Sequence, residues 1–125
     1  MFSHIMIGTN DLERAKSFYD ALLATLDVPP GVVDRHRIFW RTETGTFSVS
    51  QPINGEPATP ANGGTIGFLC KTTAQADAWH AAGIANGGTT CEDPPGDRDG
   101  LYYLAYLKDP DGNKLCALKP GGPDK

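Results

Sequence analysis

No part of this chain is apolar for the roughly 20 residues that a bilayer-spanning helix needs, so no membrane segment is expected. Positive charge is thin as well. Eleven Lys and Arg stand against fifteen Asp and Glu, and no run of them is interleaved with aromatics, which argues against a nucleic-acid surface. Cysteine is equally sparse: Cys70, Cys91 and Cys116 make an odd number with no Cys-x-x-Cys spacing. Neither a disulfide framework nor a cysteine zinc site follows from that pattern, and the thiols are read as reduced. Met1-Phe2-Ser3-His4 enters a strand with no basic leader and no cleavage site, so a cytoplasmic protein is expected. A chain of 125 residues has length for one compact unit with a real core, burying roughly two-thirds of the surface its unfolded form exposes.

What the chain does contain is a duplication. The stretch from His4 to Thr9, followed by Asn10-Asp11-Leu12-Glu13-Arg14-Ala15-Lys16-Ser17-Phe18-Tyr19, recurs in outline from Thr65 through Trp79 and His80, 61 residues later. Each copy reads as an apolar strand, a cap of small polar residues and a helix with an aromatic at the same place, Phe18 in one and Trp79 in the other. The first copy opens on a histidine and the second on Thr65.

Patterning fills in the rest. Residues 2 to 9 read as a buried strand. Asn10 is expected to cap a helix, with Glu13 in the capping-box position, that runs to about Leu26 and stops before Pro29 and Pro30. Leu12, Ala15, Phe18, Leu22 and Leu26 fall on one face of it, leaving Glu13, Arg14, Lys16 and Asp20 to water. Val32 to Gln51 predicts three short antiparallel strands. Residues 52 to 64 are dense in Pro, Gly and Asn and read as a linker between a first unit at 1–51 and a second at 65–119. The second unit repeats the order, with a helix capped by Thr72 and Gln75 and ended at Asn86-Gly87-Gly88. Gly83 weakens that helix by about 1 kcal/mol relative to Ala, so packing through Trp79 must hold it. Glu92 to Gly100 reads as a loop where the first unit has a strand. Leu101 to Leu107 and Lys114 to Leu118 form a hairpin around Asp109-Pro110-Asp111-Gly112-Asn113, and residues 120–125 read as a flexible tail.

The His4 strand, the Asp11-Leu12-Glu13-Arg14-Ala15-x-x-Phe18-Tyr19 helix, the duplicated order and the terminal Asp-Pro-Asp-Gly-Asn turn together resemble the vicinal oxygen chelate superfamily. This group includes glyoxalase I, bleomycin-resistance proteins, fosfomycin-resistance enzymes and extradiol dioxygenases. The resemblance covers nearly the whole chain and implies an α+β protein of two tandem βαβββ modules. Their curled mixed sheets would surround a cleft, commonly completed in a homodimer.

The same resemblance allows the family's metal positions to be placed one by one. The first ligand falls on His4. Its counterpart in the second module is Thr65, the carboxylate of the last strand falls on Cys116, and the carboxylate of the first module falls near Ser48. Only one of four ligands is kept, and the hydroxyls of Ser and Thr do not substitute for His and carboxylate at a divalent ion, so no metal or other cofactor is expected. Strand alternation places His4, Met6, Thr65 and Gly67 toward the cleft, with Tyr102 and Tyr106 beside Cys116 on the same side, a mostly apolar wall with a few hydroxyls. Arg35, Arg37 and Arg41 read as partners for an anionic group or, more commonly for exposed sheet arginines, as a solvated face.

Two functions stand. One is metal-free binding of a small, partly apolar molecule by a homodimer, where the net charge of -4 would suit a cationic compound. The other is a glyoxalase-like lyase or isomerase, or a related enzyme, using a rearranged metal set or Cys116 with His4 as an activated thiol.

Overall fold

A computed structural model describes residues 1–124 and contains eleven elements. In chain order these are β1 (His4–Gly8), α1 (Leu12–Ala24), β2 (Val32–Asp34), β3 (Arg37–Thr42), β4 (Gly45–Ser50), β5 (Ile66–Leu69), α2 (Thr73–Ala85), β6 (Thr89–Thr90), β7 (Gly96–Arg98), β8 (Tyr102–Lys108) and β9 (Lys114–Pro120). The first sheet runs β1-β4-β3-β2, and the second runs β5-β9-β8-β6 with β7 also paired to β8. In each sheet the opening strand lies parallel to the last strand of its unit and all other pairs are antiparallel. This is the expected pair of βαβββ modules. No helix among the described residues is long and apolar enough to cross a membrane.

The helices differ from their sequence reading in detail. Asp11, not Asn10, caps α1: its Oδ1 accepts from Arg14 N at 3.0 Å, while Asn10 instead bridges to the linker, its side chain bonding Ala58 N and O. The helix ends at Ala24, where Thr25 Oγ1 donates to Leu22 O at 2.6 Å and closes the last turn; Leu26 still packs on the core. Helix α2 is capped by Thr72, whose side chain accepts from Gln75 N at 3.0 Å. Gln75 Oε1 reaches back one residue further than a capping box requires, to Lys71 N.

Asp20 does not stay in water. Its Oδ1 accepts from Trp40 Nε1 at 3.0 Å and Gly31 N at 2.8 Å, and its Oδ2 from Lys16 at 2.5 Å, tying α1 to β3 and to the residue before β2. Burial alone would raise this carboxyl, but the bonds from Lys16, Gly31 and Trp40 outweigh it and hold the group below its usual 3.8. The 92–100 segment, read as a loop, contains β7. Gly96, Asp97 and Arg98 have no apolar pattern, and the strand exists because its backbone completes an edge of β8.

Both helices feed one core. Phe18, Tyr19 and Leu22 of α1 join Ala76 and Trp79 of α2, Ile38, Trp40 and Val49 of the first sheet and Leu107, Leu115 and Ala117 of the second. Between the modules α1 packs on α2, and the Phe47 ring of β4 meets the Phe68 ring of β5 edge-on with 5.3 Å between ring centres. The Asp-Pro-Asp-Gly-Asn turn clamps this arrangement. Tyr19 donates its buried hydroxyl to Asp109 Oδ2 at 2.5 Å, and Asp111 accepts from Thr9 Oγ1, Asn10 N and Arg14 Nη2 at 2.6, 2.9 and 3.0 Å. Asn113 Nδ2 donates to Gly8 O at 3.0 Å. At the other end, Asp124 accepts from Thr73 N and Oγ1, which binds the last described residues to the start of α2.

Candidate functional site

The faces of each sheet are defined by what meets the helices. Trp40 of β3 bonds Asp20 of α1, and Tyr103 of β8 donates to Asp77 of α2 at 2.7 Å, so the residues one step away lie on an opposite face that carries no helix. On this open face the first sheet forms three cross-strand rows. His4, Thr46 and Arg41 make one; Met6, Ser48, Phe39 and Val32 the next; Gly8, Ser50, Arg37 and Asp34 the third. In the second sheet Lys114 pairs with Lys108, Gly67 with Cys116 and Tyr106, Leu69 with Leu118 and Leu104, and Tyr102 with Pro120 and Arg98.

The register shows which positions of the two modules correspond. Met6 precedes Gly67 by 61 residues (67 − 6), the spacing of the duplication, and their strand partners are Ser48 and Cys116. Ser48 and Cys116 are therefore equivalent, as are Phe39 and Tyr106 beside them. Met6, Leu69 and Tyr102 stand 38%, 70% and 46% exposed, so these faces are open to solvent in a single chain, whereas Ser48 and Cys116 sit buried at the floor. His4, Thr65 and Gly67 are exposed, and Tyr106 is half-buried.

His4, Ser48, Thr65 and Cys116 stand where the family resemblance places metal ligands. Ser48 is fully buried and its hydroxyl donates to Ile5 O at 2.7 Å, so its proton is already committed. Burial pushes the Cys116 thiol above its ordinary 9.0, with Glu92 acting in the same direction, and the Tyr106 hydroxyl and Lys114 only partly oppose this. His4 Nδ1 lies 2.8 Å from Ser3 Oγ. Among the described residues no three His, Cys, Asp or Glu side chains are grouped to hold an ion.

Several residues at this face had no clear signal in the sequence. Phe39 reads there only as a strand residue, yet its ring lies in the middle row with the Arg41 guanidinium 4.5 Å from the ring centre. Lys114 stands 5.2 Å from the Tyr106 ring centre and forms an ion pair with Glu92, which brings the 92–100 segment onto the open face. Arg37, read as solvated, has a buried Nε with no hydrogen-bond partner. A separate cavity of about 530 Å³ lies where the edges of β1 and β5 meet the core, lined in part by Trp40, Phe47, Ile66 and Phe68. Of the residues singled out from sequence, His4 and Gly67 reach it; Met6, Ser48, Thr65, Tyr102, Tyr106 and Cys116 do not.

Comparison with known proteins agrees with this architecture. A glyoxalase/bleomycin resistance protein from Albidiferax ferrireducens is similar at 62% identity with a TM-score of 0.93, over 95% of this chain and 98% of that one. A glyoxalase-related enzyme from Fulvimarina pelagi shares the fold at 17% identity and a TM-score of 0.76, over 95% and 87% of the two chains. The fosfomycin resistance protein FosX from Mesorhizobium loti does so at 19% identity and a TM-score of 0.71, over 95% and 91%. No curated protein matches the chain. The family model of the Glyoxalase/Bleomycin resistance protein/Dioxygenase superfamily matches residues 1–117, and the chain belongs to that superfamily.

Proposed function

We propose that this protein is a cytoplasmic binder of a small, partly apolar molecule, held without a metal ion in a cleft that two copies of the chain close between their open sheet faces. The observation that carries the reading is the pair of equivalent rows, Met6-Ser48-Phe39 and Gly67-Cys116-Tyr106, each an apolar or aromatic strip over a small buried floor residue. A flat ligand gains affinity there by leaving water, and the few hydroxyls orient it. Ser48 and Cys116 occupy the floor where the resemblance puts carboxylates in a metal-binding relative, and the absence of those carboxylates supports a site without a metal. The exposed Met6, Val32, Leu69 and Tyr102 support closure by a second copy, because two such faces left in water are costly. The enzyme reading through Cys116 and His4 is weaker, since burial keeps the thiol protonated and His4 bonds its neighbour Ser3.

Ligand-detected NMR with a set of flat apolar fragments tests this. Tyr106→Ala and Met6→Lys, each on an open face, are expected to weaken the best fragment by roughly tenfold or more. Fragment binding untouched by both substitutions would contradict the proposed site.

A further inference from the structure

The chain is acidic overall, yet the charges on its open faces are mostly positive. Strand residues on those faces include Arg37, Arg41, Arg98, Lys108 and Lys114, against Asp34 as the one carboxylate among them. The other carboxylates lie on helices, turns and loops or, as Asp97 of β7 does, on the helix-facing side of a sheet, and many are already bonded, as Asp11, Asp20, Asp109 and Asp111 are. Two of the five cations are committed: Lys114 pairs with Glu92, and the Arg98 guanidinium donates to Pro94 O at 2.9 Å. Asp34 is committed too, to Arg35 at 3.2 Å. That leaves Arg37 beside a carboxylate already bonded to another arginine.

Arg37 and Arg41 stand at positions two before and two after Phe39 on β3, so they flank the middle apolar row on either side. Among the described residues neither has an ion-pair partner. Arg37 Nε is buried and bonds nothing, a donor that has given up water without gaining an acceptor. The guanidinium of Arg41 lies over the Phe39 ring, 4.5 Å from its centre, an attraction that ties this charge to the middle row. A planar fork of this kind matches the two oxygens of an oxyanion.

We infer that the ligand is an oxyanion, a carboxylate or phosphoryl group on a flat or apolar body, with the body on the Met6-Ser48-Phe39 row and its charged group taken by Arg37 or Arg41. This rests on the binding site proposed above and replaces the cationic ligand that net charge alone would favour. Charge placement, not the chain total, decides which ligand is attracted.

The test uses benzoate and phenyl phosphate as probes and benzamide as the neutral match, with affinities read by NMR titration of the full chain. Both anions are expected to bind at least tenfold tighter than benzamide, and to weaken as salt is raised from about 25 to about 250 mM. Arg37→Gln or Arg41→Gln is expected to remove that preference while leaving benzamide affinity and the molecular mass in solution unchanged. Equal binding of benzamide and the anions would overturn the inference and spare the binding site. Binding of none of the three probes would overturn both. An anion preference that survives both substitutions, or two variants that lose anions only because the assembly falls apart, would also overturn it.

Discussion

Cys116 is the residue on which the binder and enzyme readings part. It lies at the floor of its row, 6% exposed, and burial raises its pKa, so its thiol is both covered and protonated at neutral pH. Iodoacetamide is expected to label Cys116 slowly in the native protein and readily after denaturation, with mass spectrometry of the digested chain reading the site. His4→Ala should leave the native rate unchanged. Fast native labelling that disappears in that variant would show an activated thiol. Cys70, buried and pushed up to about 11, supplies an internal standard for an inert thiol in the same experiment.

At the level of elements, Gly83 shows how tertiary contact reverses a local preference. Helix propensity favours alanine there by about 1 kcal/mol. A Cβ at Gly83 would lie 2.2 Å from Leu107 Cδ1, and Leu107 is fully buried in β8, so the side chain has little room to retreat. Gly83 is what allows α2 to lie this close to its sheet. Gly83→Ala is therefore expected to destabilise the protein by about 1 kcal/mol or more, seen as a lower urea midpoint; an equal or higher midpoint would show that the core yields. The exposed Ala81→Ser on the same helix controls for propensity, with a change within about 0.5 kcal/mol expected.

Helix α1, with apolar residues at steps of three and four, and the strands around Phe47 and Tyr106 were legible before the structure, while α2 was legible through its Thr72 cap and the duplication that pairs the modules. The misreadings share a cause, which is that the deciding partner lies far along the chain. Asp20 looked like a solvent residue because its partner Trp40 is 20 residues away, and the Asp-Pro-Asp-Gly-Asn segment looked like a simple turn although Asp111 clamps Thr9 across 102 residues. Strand β7 has no apolar signature since only its backbone pairs with β8. At the candidate site, alternation alone was enough to place Met6, Cys116 and Tyr106 on one kind of face. It gave no sign of the stacking of Arg41 on Phe39 or of the unpartnered Arg37 Nε, because both depend on side-chain geometry.

For the whole molecule, the account depends on how the two modules meet. They share a single core through α1 and α2, and the Tyr19–Asp109 and Thr9–Asp111 bonds hold that arrangement, leaving both open faces with exposed apolar side chains. In the proposed assembly each chain offers two half-sites, and a second copy would complete both. On the proposed reading the floor residues Ser48 and Cys116 and the lone His4 give such a closed cleft apolar and polar contacts for a small molecule but a poor ligand set for a divalent ion. Native mass spectrometry after incubation with zinc, nickel, manganese and iron reads both parts of this claim at once. The predicted spectrum at micromolar protein is a dimer with substoichiometric metal. A monomer mass, or one tightly held ion per chain that is lost in His4→Ala, would contradict it.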